Sequence, residues 1–302
     1  MTLKIERGRR HTPARVVVYG TEGIGKSTLA AAFPSPVILD TEEGTHHLDV
    51  ARVAVPSWDE LKTAIAEIGA QGPKEFRTVV IDSADWAERL LVEALLKEHR
   101  KKSIEDFGFG KGFTHLAEGF GRLLASCDGL VGLGFNVVFV AHAKVARTSP
   151  PDMTEGFDRY ELKLTKQTAP LLKEWCDALL FCNYEVRTTE GTDGRRKAIG
   201  GKRRVVHTER AAAWDAKNRY GLEPEVPMTI DALAAIFAPP AKRPGWRDRV
   251  AAATTVEELG RIGDEADQAV SDGRLTPDLR SKLDEVIKAR QTALEAGTEV
   301  GA

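Results

Sequence analysis

The chain has 302 residues, enough for one α/β domain of ordinary size and an appendage. Hydrophobic residues make up 42% and charged residues 29%, a profile that excludes an intrinsically disordered chain. The formal net charge of -2 excludes a polycation, so any nucleic-acid surface has to be a local patch.

The opening MTLKIERGRR is charged and lacks the apolar stretch of a secretory signal. No apolar run is long enough to span a bilayer, so no membrane partner and a cytoplasmic location are expected. Residues 15–19 (RVVVY) read as a first buried strand, followed by a Gly-rich turn and a helix over residues 26–33. Residues 37–39 read as a second strand ending in Asp40, and residues 51–55 as a third. Ser57 then caps a helix, with Glu60 at the capping-box position. Residues 78–81 (TVVI) form a strand ending in Asp82, and a long helix runs on to Arg100. A helix over residues 114–130 leads to a strand over residues 136–140 (NVVFV). Further strands are expected at residues 178–184 and 203–206, flanking a basic turn.

Cys127, Cys176 and Cys182 are odd in number and have no metal or redox spacing, which predicts buried packing. Residues 238–245 (APPAKRPG) read as a linker because proline blocks helix and strand alike. Two amphipathic helices follow, one capped at Thr254 or Thr255, the other opened by Thr276 and Pro277. The expected organisation is a core over residues 1–238, a linker over 239–245 and a helical hairpin over 246–302. Strands alternating with helices predict an α/β fold with a mostly parallel sheet.

Gly20, Thr21, Glu22, Gly23, Ile24, Gly25, Lys26 and Ser27 fit G-x-x-x-x-G-K-S/T in full, directly after a strand and opening a helix. The glycines let backbone N–H groups curl around phosphates, and Thr28 continues the cradle. Lys26 then neutralises phosphate charge, and the Ser27 hydroxyl is placed to ligate Mg²⁺. Asp82, at the end of an apolar strand, is the expected second metal-holding group. The pattern predicts a site for ATP and Mg²⁺.

Four further features select among phosphate-loop proteins. Residues 37–42 form a strand followed by D-x-E, His142 ends the strand after Asp82, and Lys217, Asn218, Arg219, Tyr220 and Gly221 form KNRYG. Glu22 lies inside the phosphate loop. Over residues 4–238 these features resemble the RecA/RadA-type ATPases, and among them the phage-encoded RecA-like ATPases associated with single-strand annealing. The resemblance implies a RecA-like P-loop NTPase core that binds single-stranded DNA and assembles as a homo-oligomer, ring or filament, in the cytoplasm of a bacterial host. It implies that Glu42 polarises the attacking water, with Glu43 as a competitor, and that His142 senses the γ-phosphate in place of a glutamine. It also implies that Lys217 and Arg219 reach the neighbouring subunit's nucleotide.

Residues 101–113 sit where such proteins place a first DNA loop. Lys101, Lys102 and Lys111 offer phosphate contacts there, and Phe107, Phe109 and Phe113 offer stacking faces. Residues 144–166 correspond to a second DNA loop, carrying Lys144 and Arg147, and the Ser149-Pro150-Pro151-Asp152 stretch predicts irregular structure. The run Arg195, Arg196, Lys197 with Lys202, Arg203 and Arg204 is the most concentrated basic patch. The terminal hairpin is a candidate docking element for a single-strand-binding or replication protein. Two other readings stand beside this one: a nucleotide switch that loads a replication protein, and a phosphate-loop kinase acting on a small molecule.

Overall fold

The computed structural model describes residues 12–149, 155–190, 196–238, 245–273 and 275–298. The strand β1 (Arg15–Gly20) is a β-branched run with Val16, Val17 and Val18 fully buried, the signature of a strand covered on both faces. It leads into α1 (Lys26–Ala31), then β2 (Pro36–Asp40), β3 (Ala51–Ala54) and α2 (Trp58–Gln71). The Ser57 hydroxyl accepts from the Glu60 N–H at 3.3 Å, and Trp58, Leu61, Ile65 and Ile68 put one face of α2 on the sheet.

There follow β4 (Thr78–Asp82), α3 (Ala84–His99), α4 (Lys111–Leu133) and β5 (Asn136–Thr148). The chain continues through β6 (Phe157–Leu162), α5 (Thr168–Trp175), β7 (Ala178–Glu190), β8 (Arg196–His207), β9 (Lys217–Asn218), β10 (Glu225–Pro227) and α6 (Ala234–Phe237).

The sheet order is β10-β8-β7-β1-β5-β4-β2-β3, parallel from β7 to β3 and antiparallel at β8 and β10. Strand β5 lies between β1 and β4, so the ends of β1 and β4 flank a gap one strand wide. One buried cluster, including Tyr19, Leu39, Ile81, Phe120 and Phe139, lies on one face of the sheet, where α2, α3 and α4 pack. A second cluster, including Val16, Val18, Ile24, Leu29 and Val206, lies on the other face under α1. The expected α/β core, a mostly parallel sheet between helices with a phosphate loop after its first strand, is the fold observed.

Two elements depart from the sequence expectation. Strand β5 does not stop at Val140; it continues to Thr148 and returns antiparallel as β6, pairing Ala143 with Leu162 and Thr148 with Phe157. The stretch 144–166 is therefore largely a β-hairpin, and Pro150, Pro151 and Asp152 lie outside the described residues. Likewise β7 and β8 form one long hairpin; its Arg195 lies outside the described residues.

The chain divides into two compact units, Met1–Pro239 and Pro240–Ala302. Among its described residues the second contains three helices, α7 (Trp246–Ala252), α8 (Val256–Ser271) and α9 (Pro277–Thr298), one more than the expected hairpin. Val250 of α7 shares a core with Leu259, Ile262, Ala266 and Leu283. The expected linker lies, but for Gly245, outside the described residues.

Candidate active site

The phosphate loop sits at the end of β1. A Cβ at Gly20 would lie 2.2 Å from the Cys182 carbonyl oxygen, so only glycine lets β7 approach there. Gly25 closes the loop at φ 102°, a left-handed conformation that disfavours any side chain. Lys26 is buried and folds back, its Nζ donating to the Gly20 carbonyl at 3.1 Å and the Thr21 carbonyl at 2.9 Å. Burial pulls its ammonium below the usual lysine range, while Asp82, Asp85 and Glu42 act to keep it charged. Thr28 is exposed at the mouth of the loop.

Opposite the loop stands an acidic wall built by the ends of β2 and β4. Asp82 is buried, and its Oδ2 has no hydrogen-bond partner among the described residues. Burial pushes its carboxyl up to about 6, against the Ser27 hydroxyl and Lys26, with Glu42 and Asp40 adding to the rise. A carboxylate that meets the Ser27 hydroxyl and keeps a second, buried oxygen without a partner fits a hard divalent cation such as Mg²⁺.

Thr41 locks the two strand ends together: its N–H and Oγ1 donate to the Asp82 carbonyl at 2.8 and 3.0 Å, and its Oγ1 accepts from the Ser83 N–H at 2.9 Å. That lock places Glu42 beside Asp82, where the Ser83 hydroxyl lies 3.4 Å from Glu42 Oε2. Asp40 is occupied in building the turn, accepting from the N–H groups of Glu42, Gly44 and Thr45 and from the Thr45 hydroxyl. Glu43 adopts φ 57° and is exposed, whereas Glu42 is half-buried and faces the wall. Sequence spacing singled out Glu42; the Thr41 and Ser83 supports were not readable, because they join residues about forty positions apart.

His142 lies opposite Gly20 across the parallel ladder, which brings it to the loop's first residue. Asp85 holds it twice, accepting from the His142 N–H at 3.0 Å and from Nδ1 at 2.9 Å. That hydrogen bond raises the imidazole above its usual value, against the effect of burial. Burial acts to raise Asp85 too, but the two bonds from His142 outweigh it and hold the carboxyl below the usual range. Asp85 was missed in the sequence, where an acid in the first turn of a helix reads as a dipole partner. Beyond the strand, the Lys163 N–H donates to the His142 carbonyl at 2.8 Å, and Lys163 Nζ lies 3.5 Å from Glu22 of the loop.

The structure does not bring Lys217 and Arg219 to the phosphate loop of their own chain. Strand β9 pairs with Ala178 and Leu179, at the opposite end of β1 from Gly20. Lys217 Nζ donates to the carbonyls of Lys173, Glu174 and Cys176, at 3.3, 3.2 and 2.6 Å, where it caps the end of α5. Arg219 pairs with Asp177 at 2.8 Å, a carboxylate that Arg15 also holds at 3.1 Å, and the Arg219 side chain stays 58% exposed.

The expected nucleic-acid residues separate into two groups. Phe107 and Phe113 pack against the main core, and Phe107 also meets His99 and His115, so they are not free stacking faces. Phe109 is fully exposed at φ 49°, between Gly108 and Gly110, with Lys101, Lys102 and Lys111 exposed on the same connection. Lys144 is turned inward, donating to the Leu164 carbonyl at 2.7 Å, while Arg147 is exposed beside Asp158. All three cysteines are buried and free. Among the described residues no helix is long and apolar enough to cross a membrane.

The arrangement sets a cation, a hydroxyl and two carboxylates around one Gly-rich turn. It can hold a polyphosphate and a divalent ion, and it can take a proton from a water aligned beside Glu42. A family model described as AAA domain matches residues 12–220. The SPbeta prophage-derived uncharacterized protein YorG of Bacillus subtilis (strain 168) is 27% identical over 137 residues, 42% of this chain and 40% of that protein. The chain thus matches less than half the length of that relative. The crystal structure of the RadB recombinase aligns with a TM-score of 0.37 and 16% identity, covering 70% of this chain and 85% of that one.

Proposed function

The chain belongs to the AAA domain family, and from that premise we propose that it is an ATPase that binds single-stranded DNA and promotes annealing or recombination. The observation that carries the reading is the buried Asp82 carboxylate, which meets the Ser27 hydroxyl and keeps one oxygen unpartnered, with Glu42 locked beside it by Thr41 and Ser83. Lys26 and the loop N–H groups bind the β- and γ-phosphates of ATP. Ser27 and Asp82 are the residues that would hold Mg²⁺, which when bound neutralises phosphate charge. Glu42 takes a proton from the water whose oxygen attacks the γ-phosphorus, and the bond to the β-phosphate oxygen breaks to release ADP and phosphate.

His142, held through Nδ1 by Asp85, reads the γ-phosphate through its other ring nitrogen. Of the paired basic residues, Arg219 is the one that serves a neighbouring subunit, because it is more than half exposed and Asp177 keeps Arg15 without it, whereas Lys217 is committed to three carbonyls. That choice makes the site complete only in a homo-oligomer, a ring or filament. Exposed Phe109 among lysines supports contact with single-stranded DNA through stacking and charge. The prophage-derived relative supports a phage-encoded origin.

The test is steady-state phosphate release, with and without single-stranded DNA, for wild type and Glu42→Gln. DNA is expected to stimulate the wild type, and Glu42→Gln to lose about a hundredfold or more in rate while still binding ATP. Hydrolysis indifferent to DNA across salt concentrations sinks the DNA-coupled reading, and a phosphorylated small acceptor in place of free phosphate sinks the ATPase.

A further inference from the structure

The β7–β8 hairpin runs past the end of β1 on the side away from Asp82. In the sheet, β4 with Asp82 lies two strands to one side of β1, and β8 lies two strands to the other, each about 10 Å away at ordinary strand spacing. On β8, Val206 is buried in the cluster under α1, so Arg204, two residues earlier, projects from that same face. Its guanidinium lies directly against the phosphate loop: a Cβ added at Gly25 would come within 2.8 Å of Arg204 Nη1 and 3.7 Å of its Cζ. The side chain is exposed, and among the described residues no carboxylate pairs with it.

We propose that Arg204 is a nucleotide-binding residue of its own chain, holding the α- and β-phosphate end of a bound nucleoside di- or triphosphate. The inference rests on the phosphate loop binding such a nucleotide, as argued above. The direction of the ligand follows from where the charges lie. Ser27, Asp82 and Glu42 fix the γ-phosphate and metal end on the β4 side of the loop, so the α-phosphate and ribose lead away toward β7 and β8. A planar guanidinium at that end offers two parallel N–H donors to phosphate oxygens. Because it grips phosphates that ATP and ADP share, it contributes equally to both, unlike a residue that reads the γ-phosphate. It also makes nucleotide occupancy felt by the β7–β8 hairpin, since the strand that carries Arg204 gains an ionic tie to the loop only when phosphate bridges them.

Isothermal titration of Mg²⁺-ADP and of a non-hydrolysable Mg²⁺-ATP analogue into wild type, Arg204→Ala and Arg204→Lys tests this. Arg204→Ala is expected to weaken both nucleotides by the same factor, about tenfold or more, with the nucleotide-free melting temperature unchanged. Arg204→Lys, which keeps the charge and loses the fork, is expected to fall between the two, and it decides the matter if the alanine variant does not fold. Loss confined to the ATP analogue overturns the assignment to the α- and β-phosphates, and affinities equal to wild type overturn Arg204 as a ligand. Wild type that binds neither nucleotide overturns the underlying reading together with this one.

Discussion

At the scale of single residues, the site is a set of side chains whose charges are fixed by hydrogen bonds from outside the phosphate loop. The His142–Asp85 pair is the clearest case, and its effect on stability has a definite sign. His142 has a raised pKa in the fold, so its contribution is complete below the usual imidazole value of about 6.5 and is lost as pH rises through the raised value. Asp85 has a lowered pKa, so its contribution is present above the usual carboxylate value of about 3.9 and is lost as pH falls through the lowered one. The pair therefore stabilises most between those limits. Urea unfolding of wild type and His142→Gln is expected to differ by about 1.5 kcal/mol near pH 5.5, and the gap to shrink by pH 8.5. A gap that widens toward alkaline pH contradicts the assignment of Asp85 as the partner that keeps the imidazole charged.

At the scale of elements, what could be read from the sequence was whatever a local pattern carries. The strand, glycine turn and helix around Lys26 are contiguous, so motif and geometry coincide, and a terminal Asp on an apolar run located Asp82 without any contact information. The β5–β6 hairpin was not legible, because Pro150 and Pro151 argue for a loop while the pairing of Ala143 with Leu162 is a tertiary fact. Helix α7 was hidden for a similar reason: seven residues directly after a proline-rich run carry too little periodicity to register. The three phenylalanines of the α3–α4 connection and the first turn of α4 look alike in sequence, and only packing sorts them. That sorting makes a prediction with two opposite halves. Phe109→Ala is expected to leave the melting temperature unchanged and to weaken single-stranded DNA binding by about tenfold, the worth of one stacked base, in fluorescence anisotropy. Phe107→Ala is expected to do the reverse, costing about 1–3 kcal/mol of stability through lost packing against His99, His115 and the core. DNA affinity that survives Phe109→Ala and follows Phe107 instead contradicts the placement of the exposed ring.

At the scale of the whole molecule, the position of Arg219 decides whether one chain is a complete enzyme. It stands at the end of β1 remote from the loop, about 13 Å along the strand, so it cannot serve its own nucleotide. Its local partner does not depend on it: Asp177 keeps Arg15, which holds both carboxylate oxygens, at 3.1 and 3.3 Å. Arg219→Ala is therefore expected to melt within about 0.5 kcal/mol of wild type. If Arg219 completes a neighbour's site, Arg219→Ala and Glu42→Gln should each be inactive alone and recover activity when mixed. A head-to-tail interface between an Arg219→Ala subunit that supplies Glu42 and a Glu42→Gln subunit that supplies Arg219 carries a full set of groups. Random mixing at equal amounts generates that pairing at about a quarter of interfaces, so about a quarter of wild-type phosphate release should return. Recovery of that size, absent when either variant is mixed with itself at the same total concentration, identifies a site shared between subunits. No recovery, with Arg219→Ala still hydrolysing ATP at the wild-type rate, assigns Arg219 to the Asp177 pair alone and leaves each chain catalytically self-sufficient.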